Sequence, residues 1–304
     1  MLSKGAASLI ALAIDSDNVW EDHMETYRGF WVWGIGITLI LGAFMVFVLA
    51  GWPGEANGCI KPAGRQPDSC YCEQFDRAAI LRNDGGVRQP VNTWFNLYSI
   101  FTSLLVAYFV YLDRARAKTL NPIRSMSWIP DLYIFAVLFL GLGSMWFHAS
   151  LKEWGGILDE MSMFVYAAFL IFYSIRRLWN SDLFFWLGYL ATVALFTILG
   201  AVWQWEFKSL ILILILVAAY LTFEVILWVR SGKVMQGKAL TKALWLLAVA
   251  AIVAATIFWA LSQTDGPMCD PKSAFQPHGL LWHPLAGVMA VLLYFYWRED
   301  EDAA

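Results

Sequence analysis

The chain has 304 residues, of which 60% are hydrophobic and 15% charged, with 17 Trp and 21 Phe. A soluble domain carries about 45–50% apolar residues, so this composition excludes an ordinary water-soluble fold and makes lipid the natural solvent. The formal charge of −3, from 21 basic and 24 acidic side chains, provides no basic excess, which excludes a nucleic-acid partner on electrostatic grounds.

Residues 5–14 form a short apolar stretch of signal-peptide length, preceded by Lys4 but followed by an acidic run and no cleavage site, and read as a surface segment. A membrane-crossing helix needs about 20 mostly apolar residues. Eight later stretches meet that requirement, at 30–52, 93–112, 129–150, 157–178, 182–202, 208–229, 241–263 and 279–297. The one long connection, 53–92, is rich in Gly, Pro, Asp and Asn and reads as an extramembrane loop. The expected fold is therefore an all-α integral membrane bundle. A terminal segment 1–29 precedes an additional transmembrane helix at 30–52, the 53–92 loop, a seven-helix core at 93–298 and a tail at 299–304.

Basic residues are commoner on the cytoplasmic side of membrane proteins. Assigning loops alternately places 13 of the Lys and Arg residues on the side shared by both termini and 8 on the other. The charge-rich connections are 113–128, with Arg114, Arg116, Lys118 and Arg124, then the one carrying Arg176 and Arg177, then 230–242. Among the short loops of the opposite side only Lys152, Lys208 and Lys272 are basic. Both termini are thus expected to be cytoplasmic.

The cysteines test this topology independently, because disulfides persist on the oxidising face. Cys59, Cys70 and Cys72 lie in the 53–92 loop and Cys269 lies before the last helix, all on the extracytoplasmic side. The Cys70-x-Cys72 spacing does not suit an ordinary zinc knuckle, so two disulfides are expected, with Cys269 tied to the long loop. Their connectivity cannot be read from spacing.

Burying an ionisable group in hydrocarbon costs several kcal/mol by most scales (~2.5 or more), so intramembrane polar groups mark function. Ser144 and His148 stand one helical turn apart and share a face. Asp159 and Glu160 are expected to open the following helix after a turn at 152–156, at the same depth, where capping is the favoured reading of Glu160. His278 and His283 begin the last helix, again at the extracytoplasmic level. Three of the chain's four His, a serine and one or two carboxylates thus meet at one level from three helices, which is the inventory of a metal site. The bland readings are a helix cap for Asp159, a small-residue packing position for Ser144 beside Gly141 and Gly143, and interfacial histidines. Glu224 is expected to pair with basic residues at the cytoplasmic end.

These residues carry a resemblance. Ser144-Met145-Trp146-Phe147-His148 followed eleven residues later by Asp159-Glu160, the closing pair His278 and His283, Asn92-Thr93-Trp94-Phe95-Asn96 at the start of the first core helix and Cys72-Glu73 upstream of it together resemble the motifs of alkaline ceramidases. The likeness covers roughly residues 70–298. It implies a seven-helix intramembrane amidase in which His148, His278 and His283 hold Zn2+, Asp159 is the general base and Ser144 positions water or the developing oxyanion. It also makes Cys72 the expected partner of Cys269.

Two departures stand out. Three residues intervene between the family's paired histidines, which puts both rings on one helix face, whereas four intervene between His278 and His283, so an ideal helix would turn their side chains apart by about 140°. Pro277 allows His278 a non-helical or first-turn position, and a π-bulge is the other remedy. The family's Ca2+ site is poorly matched: Glu73 remains, but Cys70, Phe75 and Gln89 stand where other ligands would align, leaving Asp68 or Asp76 as substitutes. The substrate implied is ceramide or a related N-acyl lipid reached laterally from the bilayer. An acyl-ester lipid hydrolase of the same superfamily and a non-catalytic membrane subunit or lipid-binding protein with structural zinc are the alternatives.

Overall fold

The computed structural model describes residues 29–60, 71–116, 121–125, 127–202, 208–230 and 239–299. The segment 5–14, most of the terminal segment, Asp68, Cys70, Lys118 and most of the tail lie outside the described residues. Eight helices are long and apolar enough to cross a membrane, as the hydropathy requires. The first, α1, spans Gly29–Ala50. Two short helices follow in the long connection, α2 at Arg77–Leu81 and α3 at Pro90–Phe95. Then come α4 at Tyr98–Arg116, α5 at Ile129–Ser150, α6 at Glu153–Trp179, α7 at Asp182–Val202, α8 at Lys208–Arg230 and α9 at Ala239–Leu261. A π turn over His278–Trp282 runs directly into α10 at His283–Arg298.

Helices α5 and α6 form the centre: α5 packs on α4 and α6, while α6 also packs on α7 and α8. Helix α10 closes the bundle between α4 and α9. In lipid, tails are as apolar as side chains, so close backbone approach and interhelical hydrogen bonds hold helices together. Gly143 supplies that approach between α5 and α6, since a Cβ there would stand 2.7 Å from the Leu158 carbonyl oxygen. Gly141, two residues earlier and so on a different side of α5, does the same against Ser99 and the Asn96 carbonyl of the α3–α4 segment. Tyr133 on α5 donates to the Ala290 carbonyl of α10 at 2.6 Å.

Helix α1 lies against α4 and α5 through Ile37 and Phe44, which join Leu138, Leu142, Met145 and Ala149 in one buried cluster. After α1 the chain pairs with the turn between α5 and α6: Asn57 N–H donates to the Leu151 carbonyl and Glu153 N–H to the Glu55 carbonyl. Trp52 is fully buried and donates from Nε1 to the Gly86 carbonyl at 2.6 Å. The additional helix is therefore fastened to the loops at one end of the core.

Two expectations need correction. Helix α6 starts at Glu153, so residues 153–156 are helical instead of forming a turn, and the acidic residue in its first turn is Glu153. The reversal is confined to Leu151, in the left-handed region at φ 51°, and Lys152. Asp159 and Glu160 lie six and seven residues beyond that start, about 9 Å deeper at 1.5 Å per residue, and neither caps the helix. Lys152, at this reversal, turns its side chain inward. It is 1% exposed, and its ammonium donates to the Gly54 carbonyl at 3.0 Å, the Ile80 carbonyl at 2.7 Å and the Asn83 side-chain oxygen.

At the opposite end Glu224 meets Arg177 at 2.8 Å, as its position on α8 led us to expect, and also accepts from Ser174 at 2.6 Å and Tyr296 at 2.7 Å. Asp113 is likewise held by Arg298 through two contacts of 2.7 and 2.8 Å. These buried pairs tie α6 to α8 and α4 to α10 where single charges would be costly.

Candidate metal centre

The three histidines named from the sequence come together. His148 on the last turn of α5, His278 at the head of the π turn and His283 at the first residue of α10 are all buried, and each offers a nitrogen within 4.8 Å of the other two. The π turn solves the spacing problem: its i→i+5 bonding brings residues five apart onto one face, where α-helical bonding would not. Pro277 precedes it, and the Leu280 N–H reaches back to the Gln276 carbonyl at 2.9 Å. Of the two remedies foreseen, the chain uses the π-bulge and places His278 at its start.

The donor set fits a tetrahedral ion. Nitrogens bound to zinc at about 2.0–2.1 Å stand roughly 3.3–3.4 Å apart, and His148 Nε2 lies 3.2 Å from His278 Nε2. The tautomer of His148 is fixed by a chain of hydrogen bonds. Gln89 Nε2 donates to the Glu73 carbonyl at 3.1 Å, so its Oε1 faces His148 Nδ1 at 2.7 Å and must accept from it. That leaves the Nε2 lone pair free toward the cluster, the arrangement in which an outer partner orients a ligand ring. The Gln89 N–H also bonds the His148 carbonyl at 3.1 Å. His283 Nε2 lies 3.3 Å from Asn96 Nδ2, which donates to the Asn92 carbonyl at 2.8 Å. His278 Nδ1, by contrast, is buried with no hydrogen-bond partner.

Ser144 and Asp159 face each other across the close α5–α6 contact and are hydrogen-bonded through their side chains. Asp159 is 7% exposed and Ser144 5%. Ser162, one turn below, donates to the Asp159 carbonyl at 2.7 Å and steadies that stretch of α6. Tyr71 links this pair to the histidines: its ring lies 4.2 Å from that of His278 and 4.9 Å from that of His148. Burial and then the nearby carboxyls of Asp159 and Glu160 push the Tyr71 phenol far above its ordinary range, so it is a neutral hydroxyl. Glu160 itself turns toward Gly200 of α7, away from a capping role.

Glu73 is not among the histidines. Its two carboxylate oxygens accept from the N–H groups of Val91 at 2.7 Å and Asn92 at 2.8 Å, the first free donors of α3 after Pro90. Burial raises its pKa above the ordinary value, and the two N–H bonds pull the other way. Asp76 is likewise engaged as a helix cap, accepting from Ala79 N–H at 3.2 Å. Among the described residues, the histidine trio is the group able to hold a metal.

The loop that supports the cluster is covalently tied to it. Cys72 and Cys269 form a disulfide with Cα atoms 5.4 Å apart, the pairing that the family resemblance implied, and Cys59 is disulfide-bonded as well. Sequence reasoning missed Gln89, Asn96 and Tyr71 as site residues. Gln89 and Asn96 belonged to stretches already singled out, but no local pattern reports that a glutamine will meet a histidine 59 positions away.

Comparison with known families supplies the last observation. Residues 87–299, well over half of the chain, match the family described as Ceramidase, whereas no curated protein matches significantly. The matched region begins just before Gln89 and ends just after α10, enclosing all three histidines, Ser144 and Asp159 and leaving α1 outside. With its all-helical membrane bundle and buried histidine trio, this chain belongs to the ceramidase family and is a hydrolase of lipid.

Proposed function

We propose that the protein is an intramembrane zinc-dependent amidohydrolase that cleaves ceramide or a related N-acyl lipid into a fatty acid and an amine. The observation that carries this reading is the placement of three converging histidines beside a hydrogen-bonded Ser144–Asp159 pair within a ceramidase-family core. His148, His278 and His283 would hold the ion. Zinc on three neutral imidazoles keeps its full charge, which polarises an amide carbonyl and lowers the pKa of a water to about 7.

Asp159 is the general base. Its carboxylate takes a proton from the attacking water as the hydroxide adds to the amide carbon, and returns it to the nitrogen as the C–N bond breaks. Water is thus divided between the acid and the amine. Ser144 donates to that carboxylate while it is ionised; once Asp159 holds the proton, Asp159 donates back to the serine oxygen, and the Ser144 hydroxyl is free to donate to the oxygen on which charge develops. Glu73 reads best as a cap that sets α3 and, through Gln89, the tautomer of His148. The basic loops and the disulfide-bearing end support an orientation with both termini cytoplasmic and the histidines toward the extracytoplasmic face, where an amphiphile presents its amide near the headgroups.

Metal analysis of purified variants, paired with fatty-acid release from N-acyl and O-acyl lipids, tests the assignment. His148→Ala and His283→Ala should lose most of the zinc. Asp159→Asn should keep it while hydrolysis falls by ~100-fold or more, the scale of losing a general base. Undiminished zinc in both histidine variants would overturn the site, and bound zinc with no release from any lipid would favour a structural metal.

A further inference from the structure

His148 is oriented by a hydrogen bond from its outer nitrogen, Nδ1, to Gln89 at 2.7 Å. His278 has no such outer bond: its Nδ1 is buried without a partner. It also occupies the most irregular position, at the start of a π turn. A metal ligand whose outer nitrogen is untethered can rotate about its ring axis, and such outer partners typically govern metal affinity by 10–100-fold. What His278 does have is the face of Tyr71, with ring centroids 4.2 Å apart and planes inclined by 31°.

Tyr71 is held firmly from several sides. Its backbone is in the left-handed region at φ 62°, a conformation that is unfavourable for a non-glycine residue and persists only where the surroundings impose it. The next residue, Cys72, is bonded to Cys269. Thr264 donates to the Tyr71 carbonyl at 3.0 Å, and Trp259 of α9 hydrogen-bonds its hydroxyl. The ring also touches His148 at 4.9 Å and meets Phe147 at 6.2 Å. A strained backbone fixed by a disulfide, a threonine and a tryptophan thus presses one aromatic ring onto a ligand whose outer nitrogen lacks a hydrogen bond.

We propose that Tyr71 is the positioning residue for His278, its stacked ring taking the place of the kind of outer hydrogen bond that orients His148. The inference rests on the metal reading above and adds to it a residue that lies outside the family-matched region 87–299. The ring face does the orienting, so an aromatic substitute should serve and an aliphatic one should not. The hydroxyl is secondary for metal binding, since it points to Trp259 and not to the imidazole.

Cobalt(II) titration of the purified full-length protein tests this, read by affinity and by the visible absorption of the bound ion. Tyr71→Phe should bind within about threefold of the parent with an unchanged spectrum. Tyr71→Leu should weaken binding by about 10–100-fold and alter the spectrum, because one ligand is no longer held. If Tyr71→Leu fails to fold, Thr264→Val, which frees only the Tyr71 carbonyl, should weaken binding by a few fold with the Cys72–Cys269 disulfide intact. Parental affinity and spectrum in Tyr71→Leu, or in Thr264→Val where that is the variant that folds, would overturn the proposal. So would equal losses in the Phe and Leu variants. His148→Ala is the control: cobalt binding unaffected by its loss would sink the metal site itself, whereas a loss there with none in the Tyr71 or Thr264 variant would sink only the role of Tyr71.

Discussion

Gln89→Leu is the most direct probe of how the loop before the core tunes the metal site. In the parent, Gln89 accepts from His148 Nδ1 at 2.7 Å and donates to the Glu73 carbonyl at 3.1 Å. Both His148 and Gln89 have 0% exposure, so water cannot replace what leucine removes. Loss of an outer partner to a metal-ligating histidine costs 10–100-fold in affinity, equivalent to about 1.4–2.8 kcal/mol, which matches the roughly 1–3 kcal/mol expected for stranding a buried N–H. Gln89→Glu separates the two bonds: it keeps an acceptor for His148 but loses the donor to Glu73. Competition with a chromogenic chelator would give the zinc Kd of each. We expect Gln89→Leu to weaken zinc by 10–100-fold and Gln89→Glu to stay nearer the parent. Parental affinity in Gln89→Leu, or equal losses in both, would refute the tautomer argument.

Three other outcomes are expected. Arg177→Met should destabilise the detergent-solubilised protein by about 3–5 kcal/mol, because Glu224 is left charged at 0% exposure, while Arg177→Met combined with Glu224→Met should cost much less; thermal unfolding of the two would show it. Lys152 gives a pH signature. Burial lowers its pKa from the ordinary 10.5, so the folded state binds fewer protons than the unfolded chain between that lowered value and about 10.5. The stability of the parent relative to Lys152→Met should therefore rise with pH through that window and level off above it, and a difference that falls with pH would contradict the burial seen here. A Cys introduced at Lys118, which lies outside the described residues, should react only with a thiol reagent admitted to the cytoplasmic side. Labelling from outside would reverse the proposed orientation.

Much of this protein was legible in one dimension. The apolar stretches were, because a span is a local property of about 20 consecutive residues, and the observed helices reproduce them. The three histidines, Ser144 and Asp159 stood out as well, because polar and ionisable groups in so apolar a chain are conspicuous against their background. The local ends were harder. Asp159 was read as opening a helix, but the helix starts at Glu153, since a segment held by Glu55 and Asn57 of the preceding loop needs no apolar signature of its own. The His278–His283 spacing showed that a regular helix could not serve both rings, and tertiary packing chose the π turn over a simple break.

Contacts between distant segments escaped the sequence altogether. Nothing in residues 71–89 or 148–152 taken separately says that Gln89 sets the tautomer of His148, that Tyr71 lies on His278 or that the Lys152 ammonium is buried against Gly54 and Ile80. Each depends on where the loop is placed by α1, by the Cys72–Cys269 bond and by the close α5–α6 contact at Gly143. The residue types able to bind a metal follow from composition and order. Which nitrogen points inward, and what holds it there, is decided only when segments far apart along the chain are brought within hydrogen-bond and van der Waals reach.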